Sequence, residues 1–295
     1  EIEQLTYKTS AARCQGCQNH CMLTVSIFPG GRRHVSGNRC EKALRGENAA
    51  KSGENLFAYK RERMFTYPPL EKENAPRGEI GIPRVLNMYE NYPYWATFFR
   101  DLGFRVILSP FSTRAIYELG MESIPSESEC YPAKLAHGHA QWLIDRGVKT
   151  IFHPCVFYEH QEVPGAQNHY NCPIVVSYPE NIKNNVEAVT DGSVRYLHPF
   201  LAFTNEKVAA DRLAQFCKET WNIPERETRR AAHLAWEEQQ KAKADVRAAG
   251  AKALADMEKN GGSGIVLAGR PYHVDPEINH GIPELIAAYG LTVLT

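Results

Sequence analysis

Three cysteines in the middle of the chain stand where chemistry could take place. Cys130 precedes a proline and an apolar-periodic run, so we expect it just before the N-terminus of a helix. Cys155 follows a predicted strand at 150–152, and Cys172 leads into a third apolar run, 174–176, which is predicted as another strand. Parallel neighbouring strands would bring the loops at their carboxyl ends into one crevice. The sequence therefore predicts that the three thiols face one another.

Three converging thiolates suit an iron–sulfur cluster better than a structural zinc ion. Structural zinc is closed by four ligands, whereas a cluster held by three cysteines leaves one iron open for chemistry. We expect the three sulfur atoms to lie about 6 to 7 Å apart, close enough to span one face of a cubane cluster. The alternative interpretation is that these cysteines are small buried hydrophobic residues, and their spacing alone does not exclude it.

Several polar residues lie within a few positions of these thiols and are candidates for neighbours of a bound group, with ordinary surface pairing as the alternative. They are Glu129, Lys134, His137, His153 and Glu159.

A second group of cysteines, Cys14, Cys17, Cys21 and Cys40, lies near the N-terminus. Between the third and the fourth, an alternating apolar pattern and a Pro-Gly-Gly turn predict a β-hairpin that returns Cys40 to the others. So small a module buries little core, and metal ligation would therefore supply its folding energy. Zinc and a [4Fe-4S] cluster are both compatible with four thiolates, and His20 is a weaker candidate ligand.

Composition limits the class of protein. The 295 residues carry 34 basic and 34 acidic side chains, and no apolar stretch approaches the ~20 residues of a membrane helix, so neither nucleic acid nor a membrane is expected as a partner. Eight cysteines without a secretory signal indicate metal or redox use in a reducing compartment, the cytoplasm. The chain begins at Glu1 and stops within a predicted strand, so we expect a piece of a longer polypeptide.

The central part of the chain is predicted to be an α/β lobe with a parallel sheet, over residues 79–200. A strand at 80–85, an aromatic-rich helix and a strand at 105–108 form a βαβ unit. A short helix at 113–119, capped by Ser112, follows. No glycine-rich dinucleotide fingerprint follows the first strand, which argues against a nicotinamide cofactor.

The remaining segments are assigned from composition and periodicity. The four-cysteine module occupies 1–60 and includes a short helix from Glu41, and 60–78 is predicted as a surface linker with a solvated basic run (Lys60, Arg61 and Arg63). Helices at 201–262 are predicted to bridge to a second, truncated α/β lobe at 263–295, which should rest on the long helix 226–259. Cys217 falls on an apolar helix face and is predicted to be a core residue.

The loop after the first strand of the second lobe is rich in polar residues, which either form part of a site or satisfy local backbone groups. They are Arg270, His273, Asp275, Asn279 and His280.

Five segments carry a resemblance to a known family: IGIPRVLNMYENYPYW, SESECYPAKLAHGH, HPCVFYE, NCPIVVSYPE and GRPYHVDPEINHGIPELI. They resemble the uncharacterised domain fused to activators of CoA-ester dehydratases and reductases, and the segment from CQGCQNHC to GNRC is similar to the one preceding that domain. This domain in turn resembles the catalytic subunits of 2-hydroxyacyl-CoA dehydratases, benzoyl-CoA reductases and double-cubane cluster proteins.

The resemblance implies flavodoxin-like, Rossmann-like three-layer lobes with a cluster between them. It implies a [4Fe-4S] or double-cubane cluster on Cys130, Cys155 and Cys172, supplied with single electrons by an ATP-hydrolysing activator domain or subunit. The ATPase part and the rest of the second lobe are absent from this sequence, so the resemblance does not extend to ATP turnover or to a complete acyl-CoA pocket.

Two functional hypotheses follow. In the first, the chain is an iron–sulfur redox domain that accepts single electrons for the reduction or radical dehydration of a substrate. In the second, it is a non-catalytic, metal-stapled scaffold or docking module for the activator ATPase. An acyl-CoA substrate and a second copy of the chain remain open as partners.

Overall fold

A small antiparallel sheet stands at the start of the chain. The computed structural model describes residues 6–14, 21–28, 33–37 and 53–295. The strands of the sheet are β1 (Lys8–Arg13), β2 (Met22–Ile27) and β3 (Arg33–Ser36), and β2 pairs with both of the others. Leu23, Val25 and Val35 are buried together, as the alternating pattern predicts. Strand β1 was not predicted from the sequence.

The described residues contain two of the four cysteines expected in this module. Cys17, His20, Cys40, the expected turn at Pro29-Gly30-Gly31 and most of the helix expected from Glu41 lie outside them. The backbone N–H of Cys14 donates a hydrogen bond to the carbonyl oxygen of Cys21 at 2.9 Å, so these two cysteines lie at adjoining ends of β1 and β2. Metal binding by the four cysteines stays a prediction.

The main sheet has four parallel strands. They are β4 (Glu79–Ile82), β5 (Arg105–Leu108), β6 (Thr150–Phe152) and β8 (Arg195–Leu197). Their spatial order is β5-β4-β6-β8, so the chain changes direction between β4 and β6 and leaves a crevice at the carboxyl ends of these two strands. The parallel α/β lobe predicted from the sequence is confirmed. Two shorter strands, β7 (Cys155–Tyr158) and β9 (Phe200–Ala202), form a separate parallel pair.

Helices cover both faces of this sheet. They are α2 (Met88–Asp101), α3 (Arg114–Leu119), α4 (Tyr131–Asp145), α5 (Pro173–Asn185), α6 (Glu187–Thr190), α7 (Glu206–Trp221) and α8 (Glu225–Asn260). An aromatic core around Trp95, Phe98 and Phe99 joins α2 to α7 and α8, and it contains the fully buried Cys217 as predicted. A second core joins α4 and α5. No helix in the described part of the chain combines the length and apolar character needed to span a bilayer.

The strand predicted at 174–176 is wrong, because these residues lie in the first turn of α5. Pro173 occupies the first helical position, where its missing N–H costs nothing. The buried positions Val175, Tyr178 and Ile182 follow a helical period, which outweighs the β preference of the Ile-Val-Val run. The cap predicted for α3 is also wrong, since Thr113 and not Ser112 accepts the N-terminal N–H, from Ile116 at 3.3 Å.

The surface linker predicted from Lys60 begins later than expected. Helix α1 (Leu56–Phe65) occupies its first part, and its basic run is not a solvated face. The guanidinium of Arg63 contacts Glu238 at 2.8 Å and Asp245 at 2.7 Å, so these charges attach α1 to α8. Partly buried ion pairs in which one guanidinium contacts two carboxylates fix the relative position of two helices better than exposed pairs do.

The second lobe is the strand–helix–strand unit that the sequence predicts. Its elements are β10 (Gly264–Val266), α9 (Pro276–Asn279), α10 (Ile282–Ala288) and β11 (Thr292–Leu294), with β10 parallel to β11. Its apolar contact is chiefly with Phe57 of α1 and Tyr89 of α2, through Val274, Ala287 and Val293. The expected support from α8 is smaller, and it comes from the last turns of that helix, where Met257 lies against the start of β10.

Helix α3 rests on α4 without room for a side chain, which gives a stability prediction. A methyl group at Gly138 would overlap the Ile116 carbonyl oxygen, so Gly138→Ala should lower the free energy of unfolding by about 1 to 3 kcal/mol. The matched control is Gly250→Ala in α8, whose new methyl would lie 3.9 Å from Leu56 Cδ1. This substitution should raise the free energy of unfolding by about 0.5 to 1 kcal/mol, because alanine favours a helix more than glycine does. Urea unfolding measures both, and a Gly138→Ala protein as stable as the control would contradict this contact.

Candidate functional site

Cys130 and Cys172 occupy equivalent positions on two neighbouring helices. Cys130 is the N-cap of α4 and Cys172 the N-cap of α5, and neither side chain makes a capping hydrogen bond. The two helices pack on one another through a shared apolar core. Each helix N-terminus leaves backbone N–H groups without an intrahelical partner beside its cysteine. Cys130 is exposed and Cys172 is partly exposed, so both residues are accessible.

The second lobe covers these two helix ends. Tyr272, in the loop after β10, is partly buried, which raises the pKa of its hydroxyl, and the nearby thiols of Cys172 and Cys130 raise it further. The hydroxyl of Tyr131 donates to Glu277 Oε1 at 2.8 Å, which ties the start of α4 to the same loop. Cys130 and Cys172 therefore share one tyrosine of the second lobe as a neighbour.

A buried carboxylate holds this loop in place. Asp275 is fully buried and accepts hydrogen bonds from the hydroxyls of Tyr89 and Ser112. The Ser112 hydroxyl also meets His139 Nε2 at 2.9 Å, and His139 Nδ1 meets the hydroxyl of Ser109 at 2.8 Å. Burial raises the pKa of Asp275, and the two hydroxyl donors oppose that rise. The network joins the second lobe to α2, to α4 and to the segments that follow β5.

Two other polar residues of this loop, His273 and Asn279, satisfy local backbone groups. The backbone N–H of Arg270 donates to His273 Nδ1 at 2.8 Å, and the amide of Asn279 donates to the His273 carbonyl oxygen at 3.2 Å. His280 ends α9 in the left-handed region, with φ of 55°. Of the five loop residues singled out in the sequence, Asp275 is the one that joins the two lobes.

Cys155 lies in a different environment. It is the first residue of β7 and only 2% exposed, and its backbone N–H donates to the Pro199 carbonyl oxygen at 2.9 Å. Potential ligand atoms of Cys155, Glu180 and His198 lie within 4.8 Å of one another, and no other such group of three occurs among the residues described. His198 Nδ1 contacts Glu180 Oε1 at 2.7 Å. Burial raises the pKa of Cys155 to about 12, with Glu180 raising it further and Lys183 lowering it.

Sequence reasoning missed Glu180 and His198. Glu180 lies in α5, and it faces the start of β7 only because the segment after Cys172 is helical. A signal for His198 was present, since His198-Pro199 follows β8 as His153-Pro154 follows β6. Both pairs therefore stand at the carboxyl edge of the parallel sheet, where sites of such sheets lie.

Two of the histidines near the thiols, His137 and His153, are buried. Burial lowers the pKa of His153 to about 3 and that of His137 to about 4. His153 Nδ1 lies 2.7 Å from the hydroxyl of Tyr196, and His137 Nδ1 lies 2.8 Å from that of Ser123.

The charged candidates near the thiols have partners of their own. Lys134 Nζ donates to the Glu127 carbonyl oxygen at 2.9 Å, and Asn181 donates to Glu129 Oε1 at 3.5 Å. Burial raises the pKa of Glu159, although its Oε1 accepts from three asparagine amides, which are those of Asn87, Asn91 and Asn171. Glu159 therefore fixes the segment immediately before Cys172 against α2.

Comparison with known proteins gives one match. A family model described as the CoA enzyme activase uncharacterised domain matches residues 79–295, a stretch that contains both lobes and the three central cysteines. No curated protein and no solved structure matches the chain. The matched stretch is well over half of the chain, and the N-terminal sheet precedes it. The chain therefore belongs to the family of CoA enzyme activase uncharacterised domains and is an activase-related domain.

Proposed function

We propose that this chain is the iron–sulfur redox domain of an ATP-dependent system that reduces or dehydrates CoA esters, with a [4Fe-4S] or double-cubane cluster on Cys130, Cys155 and Cys172. One observation carries the proposal. Cys130 and Cys172 occupy the N-cap positions of two helices that pack on each other, and the strand that begins at Cys155 packs against one of these helices.

The residues present fit a group that binds through thiolates. Two helix N-termini supply backbone N–H groups where Cys130 and Cys172 stand, and neither thiol is engaged as a cap. Cys155 is buried and its pKa is raised, so it stays protonated until a metal replaces its proton. The exposed side of the site is thus at Cys130, and its buried side is at Cys155.

The chain's own residues would border the reaction site. When bound, the cluster supplies single-electron transfer and an open iron. The hydrogen bond from Tyr131 to Glu277 would hold the loop after β10 beside the site, with Tyr272 near the thiols and Cys130 still exposed. An ATP-hydrolysing activator domain or subunit would deliver the electron from the exposed side, and an acyl-CoA would enter between the lobes. The cytoplasm, a reducing compartment, suits these thiols.

We also propose that the N-terminal module holds zinc or a [4Fe-4S] cluster on Cys14, Cys17, Cys21 and Cys40. Support comes from the pairing of β1 with β2, which brings Cys14 and Cys21 to adjoining strand ends. The cluster of buried side chains in this sheet is small, comprising Cys14, Leu23, Val25 and Val35. Metal ligation would add the free energy that so small a core lacks.

A second candidate function has its own observation. The ligand atoms of Cys155, Glu180 and His198 lie within 4.8 Å of one another, nearer than the about 6 to 7 Å expected between cysteine sulfurs that hold a cubane cluster, and they suit a single ion. Zinc with ligands at about 2.0 to 2.3 Å needs only small side-chain shifts to be held by a thiolate, an imidazole and a carboxylate. In this case the chain is a metal-stapled scaffold that docks the activator. The two candidates share Cys155 and exclude each other.

Metal analysis of cysteine variants tests the cluster. After anaerobic purification, Cys130→Ala and Cys172→Ala should each lose most of the iron and acid-labile sulfide attributable to this site, because a ligand is removed. Cys217→Ala is the matched control, since its thiol is buried in the aromatic core away from the site, and it should keep the wild-type content. Equal metal content in all three variants would contradict the proposal.

A titration with Co²⁺ tests the second candidate. If a single ion binds, metal-free protein should develop the thiolate-to-cobalt absorption of a tetrahedral site, and His198→Ala should weaken binding at least about 10-fold by removing one ligand. Cys130→Ala should bind Co²⁺ like the wild type, because Cys130 is not in this group. Wild-type affinity in His198→Ala would contradict the single-ion site.

Hydrogen exchange tests the N-terminal module. Cys40→Ser, or treatment of the protein with a chelator, should remove protection from amides of β1 and β2, because the metal stabilises the sheet. Amides of α8 serve as the internal control and should exchange at unchanged rates. Unaltered protection across the N-terminal sheet would show that metal does not support it.

A further inference from the structure

Three buried polar atoms near Cys130 have no hydrogen-bond partner. They are Glu129 Oε2, His137 Nε2 and the hydroxyl oxygen of Tyr178. His137 is fully buried and Tyr178 is 1% exposed, so solvent does not satisfy them. Nearly all buried polar atoms in folded proteins are paired, and each unpaired one costs about 1 to 3 kcal/mol. The hydroxyl of Tyr178 is the donor among the three.

These atoms meet where α4 packs on α5. Glu129 immediately precedes Cys130, His137 lies further along α4, and Tyr178 lies on α5. The rings of His137 and Tyr178 contact each other edge to face, with centroids 5.5 Å apart. Burial raises the pKa of Tyr178, and Glu129 and the Cys130 thiol raise it further. Tyr178 therefore remains a phenol, and its O–H is an available donor. Tyr178 is also close enough to Cys130 for the two groups to interact electrostatically.

The protonation of His137 makes its Nε2 an acceptor. The Ser123 hydroxyl donates its one proton to the Gly120 carbonyl oxygen at 3.0 Å, so it accepts from His137 Nδ1 at 2.8 Å. The ring proton is therefore on Nδ1. Glu129 Oε2 and His137 Nε2 are both acceptors, and we assign them no role.

We propose that the Tyr178 hydroxyl donates a hydrogen bond to the sulfur side of the cluster bound at Cys130, and that Tyr178 thereby raises the reduction potential of the cluster. This inference rests on the proposed function. Donors to cluster or thiolate sulfur stabilise the reduced form, which carries more negative charge. Tyr178 is a positioning residue, because it acts on the substrate only through the cluster.

The experiment compares Tyr178→Phe with Tyr94→Phe. Tyr94 is a matched control because its hydroxyl is also buried and unpaired, while its ring packs against Trp95 and Phe203 in the other core. Each protein is prepared without and with the cluster. We would measure the melting temperature and the iron and sulfide content of each protein. A redox titration followed by electron paramagnetic resonance would give the reduction potential of the cluster.

In the cluster-free protein, neither substitution should lower the melting temperature, since each removes an unpaired hydroxyl. In the loaded protein, Tyr178→Phe should keep its iron and sulfide, show a more negative potential than the wild type, and gain less in melting temperature on loading. Tyr94→Phe should match the wild type in reduction potential and in the rise of melting temperature when the cluster is loaded. A loaded Tyr178→Phe protein with both wild-type values overturns this inference alone. A wild-type protein without iron and sulfide overturns the proposed function and this inference with it.

Discussion

The placement of the second lobe depends on one buried carboxylate. Asp275 has no exposed surface, and a carboxylate in that position would cost several kcal/mol without hydrogen-bond donors. Tyr89 of α2 and Ser112, after β5, supply those donors. Seating the loop after β10 gives Asp275 these two donors in addition to the backbone N–H of Glu277 within its own loop. The same seating brings Tyr272 and Glu277 over the ends of α4 and α5.

The first lobe prepares this seat through its own buried contacts. His139 on α4 uses both ring nitrogens to hold Ser109 and Ser112, so the helix that begins after Cys130 also orients a donor to Asp275. Close packing of α3 on Gly138 fixes the position of α4 relative to the segment that contains Ser112. The position of Cys130 and the docking of the second lobe are therefore set by the same helix.

Local periodicity was enough to predict much of this fold. The β4–α2–β5 unit, the helix after Cys130 and the second strand–helix–strand unit each carry an unambiguous apolar period and clear turn residues. The assignment failed at α5, where the β-branched residues in its first turn look like a strand when read alone. That one error hid the N-cap position of Cys172. It also hid Glu180 and Tyr178, because their facing partners are set by the packing of α5 on β7 and α4.

The three central thiols differ in what binding a metal requires of them. Cys130 and Cys172 stand at helix N-termini and are accessible, so backbone N–H groups there are available to a bound metal–sulfur group. At Cys155 burial and the adjacent Glu180 oppose the thiolate, and Lys183 offsets only part of this. A metal that takes Cys155 must therefore provide enough positive charge to replace its proton. In the proposed site, two accessible thiols would therefore be joined by a buried thiol that becomes a ligand only when the metal replaces its proton.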